Sequence, residues 1–487
     1  MADRRQLLKA AIALPVVSTG LAAASRAAAD PIDQLVAAFV AEAGDVALSI
    51  GVVKDGKTRF FNRGTHVRGG GTRVDRHAVY EIGSITKTFT GLLLAHAIAE
   101  GRVKLADPVQ RYLPHGYDNL ARDGRAVTFA DIVTTTSALP DNIPDWRVAL
   151  NGVPAQDVPA RYAALLEGYD SAAFLKDLRS AQLVDTPGHQ TRHSNAASQL
   201  LAAVLERLYQ QPYAQLVARY IETPFGMQRG TGAVPASLLV TGYDGVAMPP
   251  LTMAAIRAAG GLRYSAADMI RYITAQIAAR DPAIAQTHVP LWGTADTQGI
   301  GFHWIVSKTA DGIPYLQHSG GTFGFSSYCD FYPQQRYGIV LLVNRAGDYQ
   351  YKLQQLANAI HDTLCGTPRG LRALETALER TDYHDASATI ATIKARYPEL
   401  HLDENRMNQW GGKLLAERRP QAAREIFAYT VAAFPDSGNA HDSYATALME
   451  TGDTADALRE FRASLALDPS NQNAVEMIAK LSKAGTP

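Results

Sequence analysis

The sequence predicts an α+β domain, one antiparallel sheet flanked by helices with an inserted helical region, followed by an all-α domain of helical repeats. Three observations carry that expectation. Strand-like runs stand at both ends of residues 30–365, with helical or loop-like sequence between them. After Cys365-Gly366-Thr367-Pro368-Arg369-Gly370, a plausible linker, only helical patterns remain. The tail then repeats itself at a fixed period.

The elements follow in chain order. Residues 1–29 read as a twin-arginine type export signal: Arg4-Arg5-Gln6-Leu7-Leu8-Lys9, then a small and apolar run over 10–24, then Ala27-Ala28-Ala29 as a cleavage site. Asp3 and Leu7 depart from the commonest twin-arginine form, and the apolar run is too short for a stable membrane span. A periplasmic or secreted location follows; the alternative is an uncleaved N-terminal helix or anchor. Residues 46–53 alternate and are β-branched, Asp55-Gly56 is a turn pair, and 57–62 read as the returning strand. Four later runs, 299–307, 315–318, 326–332 and 337–344, read as further strands, with Asp311-Gly312 between the first two.

In the tail, Trp410 and Tyr444, Leu414 and Leu448, Phe427 and Phe461, and Pro435 and Pro469 each stand 34 residues apart. That period resembles tetratricopeptide repeats over 406–487, and 366–405 read as a linker plus a degenerate helical hairpin. Such a stack either offers a groove to a partner peptide or docks on the preceding domain as a stabilising appendage.

Composition narrows the function. With 47% apolar and 19% charged residues the chain is globular, and 487 residues are too many for one ordinary core. Lysine plus arginine balance aspartate plus glutamate at 47 each, with no basic block beyond the extreme N-terminus, which disfavours nucleic-acid binding. Cys329 and Cys365 stand outside any metal-ligand pattern, and their spacing leaves pairing open. His66, His77, His96, His115 and His303 have no carboxylate or cysteine at metal spacing and read as structural or surface residues. No metal and no cofactor are expected.

The chemistry lies in Ser84-Ile85-Thr86-Lys87, directly before an apolar helical run. A serine hydroxyl needs a base and oriented dipoles before it can attack. Residues three apart share a helix face, which puts the Lys87 amine beside Ser84, and a helix start turns N–H groups toward the reacting oxygen. The stretch 80–114, with its Gly101 stop and Leu105-Ala106-Asp107-Pro108-Val109 turn, resembles the nucleophile segment of class C β-lactamases and their D,D-peptidase and esterase relatives. The resemblance implies a β-lactamase/penicillin-binding-protein-like fold, with the active site between the sheet and the inserted helices.

Two further stretches carry the resemblance. Pro187-Gly188 followed by His193-Ser194-Asn195 matches the family's tyrosine-x-asparagine motif, with histidine in place of tyrosine. An imidazole titrates near ~6.5 and accepts a proton at neutral pH, whereas a phenol titrates near ~10. His193 therefore either takes over the proton shuttle with Lys87 or marks its loss. Asn195 is implied to bind Lys87 and the substrate; it or Ser194 could equally be a helix N-cap. His318-Ser319-Gly320-Gly321 resembles the lysine-threonine-glycine strand in its histidine form. It implies substrate binding by His318, Ser319 and Gly320, and an oxyanion hole from the N–H groups of Ser84 and Gly321. The segment 259–268 reads as packing and N-capping.

Together these motifs imply a secreted serine hydrolase forming an acyl-enzyme at Ser84. The substrate would be a small molecule or peptide: a β-lactam, a D-amino-acid peptide or a carboxylic ester. The rival class is a non-catalytic or slowly deacylating scaffold whose repeats recruit a protein partner.

Overall fold

Residues Tyr337–Val343 are apolar without alternation, as expected of a strand covered on both faces, and all seven are buried. They sit inside a seven-stranded antiparallel sheet. Its strands are β1 (Leu48–Lys54), β2 (Lys57–Arg63), β3 (Gly299–Gly301), β4 (Trp304–Lys308), β5 (Pro314–Gly321), β6 (Ser326–Tyr332) and β7 (Tyr337–Val343), in the spatial order β3-β4-β5-β6-β7-β1-β2. The early hairpin thus closes on the last strand, with Ile50 opposite Leu341. The computed structural model describes residues 30–114, 116–228, 230, 233–251, 257–469 and 471–484. The expected export signal and His115 lie outside the described residues.

The sheet corrects one expectation. The run 299–307 is two strands, because Phe302 and His303 adopt left-handed backbone at φ 49° and 71° and turn the chain between β3 and β4. Phe302 brings its carbonyl against Gly91, where a Cβ would lie 2.5 Å away. A strand-like composition does not reveal a turn that tertiary packing imposes.

Side chains alternate between two cores. Leu48, Ile50, Val52, Ile339, Leu341 and Val343 join α1 (Pro31–Ala43) and α5 (Tyr349–Cys365) on one face. Val340, Leu342, Cys329 and Phe331 face the other core, built on α2 (Thr86–Ala99), α3 (Asn195–Tyr209) and α4 (Ala266–Ala278). Gly51 lets α4 approach: a Cβ there would meet Ile270 at 2.5 Å. Cys329 and Cys365 are free thiols.

The chain continues as helices α6 (Arg369–Arg380), α7 (Ala386–Arg396), α8 (Glu404–Ala416), α9 (Pro420–Ala433), α10 (Gly438–Glu450), α11 (Thr454–Leu467) and α12 (Gln472–Ala484). The repeated positions are the glue between them. Leu414 and Phe427 share one cluster, Leu448 and Phe461 the next, and Tyr444 touches both. Gly411 matches the Phe427 ring, which a Cβ would approach to 2.4 Å. The stack docks on the turn after β4: Ala310 belongs to the first helical cluster, and its carbonyl accepts from His401 N at 2.9 Å.

Candidate active site

The site is built around a glycine. Gly83 holds φ +52°, and a Cβ on it would lie 2.5 Å from Gly321 N. Only glycine lets the end of β5 pack against the turn before α2. Gly320 is under the same constraint, since a Cβ on it would lie 2.1 Å from Ile82 O. Ser327 Oγ donates to that Ile82 carbonyl at 2.8 Å and fastens β6 to the same turn. Ser84 follows in a single 3-10 turn, Gly83–Ile85, which runs straight into α2.

Lys87, in the first turn of α2, is only 3% exposed. Its Nζ donates to Ser84 Oγ at 2.8 Å, Asn195 Oδ1 at 2.8 Å and Ala259 O at 2.9 Å. Burial pushes its amine down to about 7, with Asp141 opposing. The neutral amine keeps two hydrogens, and two of its neighbours are carbonyl oxygens that cannot donate. Its lone pair therefore turns to the Ser84 hydroxyl, the orientation a general base needs.

His193 stands on the loop before α3, its side chain 60% exposed. Its Nδ1 donates to Asp141 Oδ1 at 2.7 Å, which leaves Nε2 as the basic nitrogen of the neutral ring. Among the described residues its ring bonds to Asp141 and not to Ser84 or Lys87, yet Ser84, His193, Asn195, His318 and Gly321 all line one cavity of about 530 Å³. Ser194, not Asn195, caps α3, its Oγ accepting from Ala197 N at 3.0 Å. Asn195 is thereby left to Lys87.

Asp141 and Asn142 were not foreseen. Asn142 donates to Asp141 Oδ2 at 2.9 Å and accepts from Asn195 Nδ2 at 3.0 Å. The Asp141 carbonyl accepts from the Asn195 and Ala196 amides at 2.8 and 3.0 Å. One carboxylate thus orients His193 directly and Lys87 through Asn142 and Asn195. The available signal was chemical: a histidine replacing a phenol needs an acceptor at Nδ1, and Pro140-Asp141-Asn142 offers one. Ala259 was also missed, because a backbone carbonyl leaves no trace in residue type. Elsewhere in its segment Ser265 caps α4, as expected.

His318 lies on β5 with Nδ1 donating to Ser319 O at 2.6 Å. Burial, then Lys87, pushes its imidazole down to about 3, so the ring is neutral. Ser319 Oγ donates to Gln350 Oε1 at 3.2 Å. His303, read as structural or surface, is buried beside this group, and burial with the nearby Lys87 holds it well below the usual histidine range. No cluster among the described residues is placed to hold a metal ion.

Known proteins resemble this chain in sequence and fold. The beta-lactamase family model matches residues 32–361, and a tetratricopeptide repeat model matches 414–481. The D-alanyl-D-alanine-carboxypeptidase/endopeptidase AmpH of Escherichia coli (strain K12) is 28% identical over 337 residues, covering 64% of this chain and 82% of that protein. A beta-lactamase of Pseudomonas fluorescens is 24% identical over 360 residues, covering 64% and 92%. In fold, a beta-lactamase/D-alanine carboxypeptidase from Pseudomonas syringae superposes with TM-score 0.56 at 22% identity, covering 68% of this chain and 98% of its own. The octameric penicillin-binding protein homologue from Pyrococcus abyssi gives 0.59 at 21% identity, covering 71% and 80%.

Proposed function

From the premise that this chain belongs to the beta-lactamase family of serine hydrolases, we propose that it is an exported enzyme working through an acyl-enzyme at Ser84. Lys87 takes the Ser84 proton as Oγ attacks the substrate carbonyl. The N–H groups of Ser84 and Gly321 hold the oxyanion. His193 Nε2, steered by Asp141, carries a proton to the leaving oxygen or nitrogen as the scissile bond breaks. In deacylation His193 recovers a proton from the attacking water, and Lys87 returns its own to Ser84 Oγ. Each group ends as it began.

The observation that carries this reading is the buried Lys87 amine, 2.8 Å from Ser84 Oγ with carbonyl oxygens on its other sides. The substrate is an ester or amide. Where a lysine would supply a fixed cation, His318 is neutral, which supports a carboxylic ester or D-amino-acid peptide bond ahead of a β-lactam carrying a carboxylate. Asn195 and Ser319 line the same cavity. A fluorophosphonate probe should label the intact protein and not Ser84→Ala; equal labelling of both would overturn the assignment. Mass spectrometry then follows the adduct: decay marks an enzyme, persistence the slowly deacylating scaffold.

Export rests on the pattern of residues 1–29. Replacing Arg4 and Arg5 by lysine should hold the protein in the cytoplasm. Among the described residues no helix is long and apolar enough to cross a membrane.

A further inference from the structure

Beyond β5 lies a second cavity of about 670 Å³, walled on one side by the sheet and α5 and on the other by the first turns of α8 and α10. It shares His318, Ser319 and Gln350 with the Ser84 cavity, so the two abut across these residues. Each alone has the volume of an ordinary ligand site. A small ester would fill the first and leave the second empty.

Gln317, Gln350 and Gln354 face the second cavity from the hydrolase side, Asn405 and Asn439 from the repeats. Gln317 Oε1 already accepts from Tyr328 Oη at 2.6 Å and Gln354 Nε2 at 2.9 Å, and Gln350 Oε1 from Ser319 Oγ, which leaves the Gln350 and Asn405 amide N–H groups and the Asn439 carbonyl to meet a peptide unit. The one carboxylate among the described lining residues, Glu404, already accepts from Ser437 Oγ at 2.7 Å and Asn439 Nδ2 at 3.1 Å. No lysine or arginine is among those lining residues, and neutral His318 adds no charge, so the site does not suit a polyanion. Trp292 and Tyr351, both exposed, supply ring faces at its edge. The Ala310 contact fixes the repeat side against the sheet.

We infer that this chamber is a substrate subsite, completed by the helical repeats, for an uncharged polar peptide continuing from the bond cleaved at Ser84. The inference rests on the hydrolase reading of Ser84. It gives the repeats a part in substrate selection rather than in recruiting a separate protein.

Calorimetry on the full-length Ser84→Ala protein tests it with acetylated, amidated peptides of glycine, serine and glutamine around one D-alanine. Six residues should bind about tenfold or more tighter than two, as several added hydrogen bonds imply. Asn405→Ala combined with Asn439→Ala, both at exposed positions, should erase that gain. With Ser84 intact the same pair should leave nitrophenyl acetate hydrolysis within about twofold. If ester hydrolysis falls too, Gln354→Ala on the facing wall replaces the pair and must show the same split. Affinity independent of length, or a gain that survives these substitutions, overturns the subsite. So does a neutral oligosaccharide that binds there and excludes the peptide. Length-dependent binding without any ester hydrolysis by the unmutated protein would instead defeat the Ser84 reading and leave the subsite standing.

Discussion

The floor and the rim of the Ser84 cavity are built by opposite means. On the floor, Lys87 is 3% exposed and held by three oxygens, one of them Ser84 Oγ in the turn that runs into its helix. Desolvation disfavours its charged form and so frees the amine lone pair near neutral pH. On the rim, His193 is 60% exposed and held by one carboxylate that stands 52 residues earlier in the chain. A buried base is set by what surrounds it on every side. An exposed base has to be steered by a partner brought from elsewhere.

The comparison breaks most sharply at the floor. Lys87→Met should lower ester turnover and fluorophosphonate labelling by about 10³-fold or more, since it removes the base without touching His193. Labelling at the normal rate would transfer the proton work to the rim. Next comes Gly83→Ala, which forces a Cβ to within 2.5 Å of Gly321 N in left-handed backbone. We expect about a 10²-fold loss in turnover with a lower melting temperature, while the Lys87 to Ser84 contact remains possible within one helix. Full activity would show that β5 does not close the oxyanion side.

The same contrast explains what the sequence made legible. The floor is local: Ser84 and Lys87 are three residues apart, and one helical turn joins them. The glycines of β5 could be read from their motif, and the fold gives the reason for their type: a Cβ on Gly320 would lie 2.1 Å from Ile82 O. The sheet was legible because β1 and β7 are largely apolar runs and Asp55-Gly56 marks the return into β2. The 34-residue period exposed the repeats, since each unit must bury the same face. The rim was half visible: His193 stood out by replacing a tyrosine, but Asp141 and Asn142 reach it only through the folded loop. The turn at Phe302 and His303 was hidden because it follows from packing on Gly91, not from turn residues. The subsite formed with Asn405 and Asn439 needed two domains in place, so no single stretch announced it.

The rim sharpens the comparison. His193→Phe should reduce turnover by about 10²-fold, the low end of what a single acid or base contributes, with nitrophenyl esters affected less than amides because their leaving group needs no proton. An equal loss on both substrates would mean that the ring packs rather than transfers.

The smallest change distinguishes the two bases. Activity should need the neutral Lys87 amine, present above about 7 and lost as pH falls through that value. Because this limb belongs to the floor, it should persist in His193→Phe at the reduced rate. Adding Asp141→Asn to that variant removes a negative charge that raises the Lys87 amine, so the limb should move to lower pH, with turnover changing only about two- to fivefold. A pH profile of acylation in the single and double variants reads this directly. A limb that vanishes with His193 would assign it to the rim, and one that stays fixed when Asp141 loses its charge would separate Asp141 electrostatically from Lys87.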